Sequence, residues 1–154
     1  MDQPLYYYNY NPYDGYFRGE PDTHLVNDIQ TALNGELRAF NRNENLINKA
    51  DTKELKKRIA EMQKDEQDHI KAFRSIYSNL TGRQPTIEKT VSYPKDLIEG
   101  LESAFKEEQE TVDFYLDIAD RAQDMKIKEM FGRAASNKQN HAVWLLYYFH
   151  LKGH

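Results

Sequence analysis

From Asp22 onward, apolar side chains recur three and four residues apart in four successive stretches, a period that only packed helices satisfy. The first seam runs Leu25, Ile29, Ala32, Glu36, Ala39, Asn43 and Leu46, and the second Leu55, Ile59, Met62, Glu66, His69, Phe73 and Ile76. The third runs Leu97, Leu101, Phe105, Glu108, Val112, Tyr115 and Ala119, and the fourth Ile127, Met130, Ala134, Lys138, His141, Leu145 and Tyr148. Alternation of period two is nowhere sustained, so a strand reading fails. Asp22 is placed to cap the first helix, Asp51 and Glu54 have the spacing of a capping box for the second, and Gly82 follows its end. The stretch LTGRQPTIEKTVSY, residues 80–93, is a long connection, Pro94 suits the first turn of a third helix, and a turn near Gln123 and Asp124 leads to the fourth. Helices of about 25 residues joined short, long, short predict an all-α four-helix bundle with one long crossover between helices 2 and 3.

The bundle is expected over residues 22–154, preceded by a distinct segment, 1–21. That segment, with YYYNYNPYDGY, holds six of the eleven tyrosines and has no helical period, so it reads as a loosely ordered tail. Its rings can pack on the domain or a sister subunit, or serve adhesion in a larger assembly. A net charge of -4 with no basic stripe excludes the usual nucleic-acid footprint. No apolar run approaches the roughly 20 residues that span a bilayer. The start of the chain lacks the basic-then-apolar pattern of a secretory signal, which makes the cytoplasm the expected location. Zero cysteines exclude disulfides and thiolate-held metals.

The polar residues on the seams carry the chemistry. Glu36, Glu66, His69, Glu108, Lys138 and His141 all occupy positions that a bundle turns inward. Their spacing repeats: Glu66 lies 30 positions after Glu36 and Lys138 lies 30 after Glu108, with a histidine three residues later each time. Superposing the halves at an offset of 72 residues (108 minus 36) also pairs Ile59 with Phe131, Phe73 with Leu145 and Ile76 with Tyr148. A two-helix unit is therefore repeated, each bringing a carboxylate and a three-spaced pair to mid-bundle height. Buried carboxylates need a compensating cation. Divalent iron or manganese accepts both carboxylate oxygen and imidazole nitrogen, and one helix can supply both at this spacing.

At these residues the sequence resembles the ferritin-like superfamily, and within it the rubrerythrin-like di-iron carboxylate proteins, over about residues 22–151. In that family one Glu from each of two helices and a Glu-x-x-His from each of the others hold two metal ions. The resemblance implies Glu36, Glu66, His69, Glu108 and His141 as metal ligands. Tyr115, in EQETVDFY, resembles the family's third-helix pattern and is a candidate to hydrogen-bond to the site; an ordinary core aromatic is the plainer reading. Further implications are iron (one or two ions, manganese as the substitute), redox chemistry with oxygen or peroxide, and a homodimer. Because the chain has no thiolate centre of its own, electrons are expected from a separate donor, a reductase or dissolved ferrous iron.

The departure is Lys138, which replaces a bridging glutamate in Lys138-Gln139-Asn140-His141. Four carboxylates balance two divalent ions, whereas three carboxylates and an ammonium balance one. Three arrangements follow. One ion sits on the Glu36, Glu66 and His69 side, with other ligands from water or Glu108; or two ions persist because Lys138 swings away and a nearby acid such as Glu107 or Asp113 substitutes; or the site is a metal-free internal salt bridge. The rival functional reading is a metal-poor structural or coat-associated bundle with an adhesive tyrosine-rich tail.

Overall fold

The computed structural model describes residues 22–89 and 92–153, in which four helices account for all the regular secondary structure. They are α1 (Thr23–Lys49), α2 (Lys53–Thr81), α3 (Leu97–Arg121) and α4 (Met125–Gly153). Each start is fixed by a side chain that accepts hydrogen bonds from the orphan first-turn amides. Asp22 takes those of His24 and Leu25 at 3.0 and 3.3 Å, and Asp124 those of Lys126 and Ile127 at 2.8 and 3.1 Å. The α2 cap is Thr52, one residue beyond the expected Asp51: its Oγ1 accepts from the Leu55 amide at 3.1 Å, while Asp51 is drawn off by Lys152. Likewise Pro94 lies outside α3, because Asp96 accepts from the Glu99 amide at 3.1 Å and sets the start there. α2 ends at Gly82, whose φ of 69° is the left-handed conformation a glycine adopts without steric cost.

α1 packs chiefly on α2 and α3 on α4, the two hairpins of the sequence repeat. The connection after α2 does not hang free. Gln30 and Asn34 of α1 donate to the Thr86 carbonyl at 2.6 and 3.1 Å, and their side-chain oxygens accept from the Thr86 and Glu88 amides at 2.9 and 3.0 Å. Side-chain amides of α1 thus tie down the backbone of an exposed crossover.

The core is divided into two apolar blocks. One gathers Leu33, Phe73, Tyr115, Ile118 and Phe131, with Phe73 and Phe131 stacked at 4.4 Å between centroids. The other gathers Leu46, Leu55, Ile59, Leu101 and Leu145. Between them lies a polar layer built from every inward-facing ionisable residue that the seams identified.

Candidate metal centre

Glu36, Glu66, His69, Glu108, Lys138 and His141 are all buried, none more than 6% exposed. They meet around the Lys138 ammonium. Its Nζ lies 3.0 Å from Glu36 Oε1, 3.3 Å from Glu108 Oε2 and 3.7 Å from Glu66 Oε2. The lysine therefore points into the centre rather than toward the bundle end. Glu107 faces Arg42 instead, at 3.0 Å, and Asp113 is exposed.

Four residues that the seam pattern did not flag as site residues complete the layer. Arg42 Nη2 stands 3.4 Å from Glu108 and 3.9 Å from Glu66, and Asn43 donates to both oxygens of Glu66 at 2.8 and 3.0 Å. Asp65 Oδ2 is 2.8 Å from His141 Nε2, and Asn137 Nδ2 is 2.9 Å from His69 Nε2. The inner nitrogens face carboxylates: His141 Nδ1 is 2.9 Å from Glu108 and His69 Nδ1 is 3.2 Å from Glu36. Tyr115 donates its hydroxyl proton to Glu36. The tyrosine is both core aromatic and site neighbour, since its ring packs edge-on against Phe73 and Phe131.

The charges balance internally. Burial opposes the Lys138 charge, but Glu108, Glu36 and Glu66 outweigh it and raise its pKa. Burial also opposes ionisation of Glu108, which Lys138, Arg42 and His141 nevertheless hold far below the usual carboxylate range. Burial prevails at Glu66, farther from both cations, and pushes it up to about 7. Burial disfavours the charged His141 ring, yet hydrogen bonds to Asp65 and Glu108 raise it to about 9. Four carboxylates, Glu36, Glu66, Glu108 and Asp65, face three cations, Lys138, Arg42 and the His141 imidazolium, and the count evens when Glu66 holds its proton.

A pH dependence follows for the metal-free protein. The folded His141 pKa lies above its ordinary 6.5, so its proton stabilises the fold fully below that value. The contribution is lost as pH rises through about 9. Urea unfolding at pH 6, 8 and 10 is expected to show stability falling across this window by on the order of 3 kcal/mol. His141→Gln should flatten the part of that decline above pH 8, the part below it belonging also to Glu66. A wild-type profile flat to pH 10 would contradict the assigned proton.

A two-ion site does not fit this donor set, because the ammonium of Lys138 stands among the carboxylates where a fourth carboxylate is needed. One ion fits. Glu66, Glu108 and His141 each offer a ligand atom, all within 4.8 Å of one another. This group differs from the expected Glu36, Glu66 and His69 side: Glu36 instead meets Lys138, His69 and Tyr115. A cavity of about 170 Å³ between α1 and α3 runs from exposed Arg38 and Glu110 inward to Glu108, Tyr115 and Lys138.

Four helices with one long crossover around a carboxylate–histidine layer define a ferritin-like bundle. The chain belongs to the rubrerythrin family, whose model matches residues 28–148. It is 41% identical over 142 residues to the uncharacterized protein YhjR of Bacillus subtilis (strain 168), covering 92% of this chain and 97% of that one. Among solved structures, a hypothetical protein from Pyrococcus furiosus superposes with a TM-score of 0.72 at 20% identity, over 86% of this chain and 96% of its own, a likeness of fold alone. Among the described residues, no helix is long and apolar enough to cross a membrane.

Proposed function

We propose that this protein is a one-ion variant of the rubrerythrin plan, holding a single divalent iron, or manganese, on Glu66, Glu108 and His141 for redox chemistry with oxygen or peroxide. The observation that carries the reading is the position of Lys138 Nζ among Glu36, Glu66 and Glu108, which leaves one complete set of ligands. A bound ion would supply a one-electron couple. The chain's own residues supply the rest. Asn43 and Arg42 fix the orientation of Glu66 and Glu108 from α1. His141 and Glu66 both carry protons in the neutral range, and giving these up keeps the layer near neutrality when a divalent ion arrives. The cavity between α1 and α3 admits a small oxidant beside Lys138, while Phe73 and Phe131 keep water from the neighbouring side. Electrons come from a separate donor, because the chain has no cysteine.

The second reading, a metal-poor structural or coat-associated bundle, is favoured by the same ion pairs, since with Glu66 protonated the layer is already neutral without a metal. The tyrosine-rich segment on which an adhesive role rests, residues 1–21, lies outside the described residues. Elemental analysis of protein produced in iron-supplemented medium separates the two. About one iron or manganese per chain, lost in a Glu66→Gln, His141→Gln variant of unchanged helicity, is the expected result. Wild type free of metal would give the second reading the field.

A further inference from the structure

The two histidines are related by the 72-residue offset of the repeat, and so are the groups behind them (137 minus 65). Asp65 of α2 backs His141 of α4, and Asn137 of α4 backs His69 of α2. Each Glu/Lys-x-x-His helix thus supplies the outer partner for the opposite imidazole, but one partner is a carboxylate and the other an amide. That difference fixes where the ring protons reside. Around His141 both nitrogens face carboxylate oxygens, Glu108 at 2.9 Å and Asp65 at 2.8 Å. A carboxylate only accepts. When Nδ1 gives up its proton to bind an ion, Nε2–H stays on Asp65, the tautomer that ligation through Nδ1 requires.

Around His69 the situation is reversed. The Asn137 amide nitrogen can only donate, so Nε2 must accept and the proton belongs on Nδ1, which gives it to Glu36 at 3.2 Å. An ion on Nδ1 would require that proton to move to Nε2, against the amide N–H already pointing there.

We propose that Asp65 and Asn137 are positioning residues that choose between the two histidines, Asp65 keeping His141 Nδ1 available to a divalent cation and Asn137 withholding His69 Nδ1. This inference rests on the one-ion reading above. The site is then asymmetric twice over, at the inner pair Glu66/Lys138 and at the outer pair Asp65/Asn137.

The test uses Zn²⁺ as a diamagnetic probe on the full chain, with ¹⁵N-histidine NMR reporting tautomers and a competition titration reporting affinity. In metal-free wild type, His69 is expected to carry its proton on Nδ1, with Nε2 bare. On adding Zn²⁺, the Nδ1 signal of His141 alone should take the shift of a ligating nitrogen. Asp65→Asn should weaken Zn²⁺ binding about 10–100-fold, with Asp65→Glu recovering part of the loss. Asn137→Asp should bring His69 into play, so that both Nδ1 signals respond. His69 protonated on Nε2 in the metal-free protein, or Asp65→Asn binding Zn²⁺ as tightly as wild type, would overturn the inference and leave the one-ion reading standing. A wild type that takes up no Zn²⁺ would overturn both.

Discussion

Lys138→Met is expected to destabilise the metal-free protein by about 3–5 kcal/mol, the cost of leaving buried charge without its partner. Methionine keeps the length and most of the apolar volume of the lysine stem, so a cavity does not account for the loss. What disappears is the one cation within 4 Å of all three carboxylates, at a position only 1% exposed. Arg42 reaches Glu66 and Glu108, and nothing but His69 and Tyr115 would remain for Glu36. Urea unfolding at pH 7 measures the effect, and two further signatures identify its origin. The deficit should shrink toward pH 4, where the uncompensated carboxylates take up protons. Added Mn²⁺ should restore part of it, about 2.7 kcal/mol at a hundredfold excess over the dissociation constant. A variant within 1 kcal/mol of wild type would mean that the ammonium is not what neutralises the layer.

Lys138→Glu is the complementary change, and its expected effect is on metal count. The repeat pairs position 138 with Glu66, so glutamate there completes the fourth carboxylate of a symmetric centre. Without metal this variant should be less stable than Lys138→Met, since it adds a buried negative charge to those already uncompensated. With Fe²⁺ or Mn²⁺ it should fold and bind two ions per chain against the one expected of wild type, counted by elemental analysis after desalting. A count unchanged at one would show that position 138 does not decide nuclearity.

Much of this centre was legible in the sequence because helical geometry ties seam position to burial. Charged residues at core phase, such as Glu36, Glu66, Glu108 and Lys138, had no outward-facing alternative. Periodicity could not reveal which group on one side of the layer meets which on the other. Arg42 sits one residue off the seam at Asn43, and its long side chain bends inward to reach Glu108. Asp65 and Asn137 lie beside the seam at half-buried positions, where Asp and Asn read as ordinary surface residues. The 72-residue offset was the signal available for them, because it superposes position 65 on 137 directly before the paired Glu66 and Lys138. The helix ends erred by one or two residues for a local reason. Asp51 and Thr52 are both competent caps, and the choice is settled by Lys152 at the far end of α4, which captures Asp51. Pro94 gave way to Asp96, because a side chain that accepts an amide hydrogen defines a helix start more strongly than a favourable φ.

The ligand-capable group that the structure brings together, Glu66, Glu108 and His141, is not the Glu36, Glu66 and His69 side on which a single ion was expected. On sequence alone Glu36 and His69 were as available as Glu108 and His141, being equivalent under the repeat. In three dimensions the Lys138 ammonium lies closest to Glu36, at 3.0 Å, and Tyr115 takes that carboxylate's other oxygen. Nothing in helical phase distinguishes the two halves; the reach of one lysine side chain does.

Anomalous diffraction at the iron edge, from crystals grown with excess Fe²⁺, tests the central claim most directly. The account predicts one iron peak, bounded by Glu66, Glu108 and His141, with Lys138 Nζ still in hydrogen-bonding contact with Glu36. Two iron peaks, or Lys138 turned out of the carboxylate layer to make room for a second ion, would contradict it.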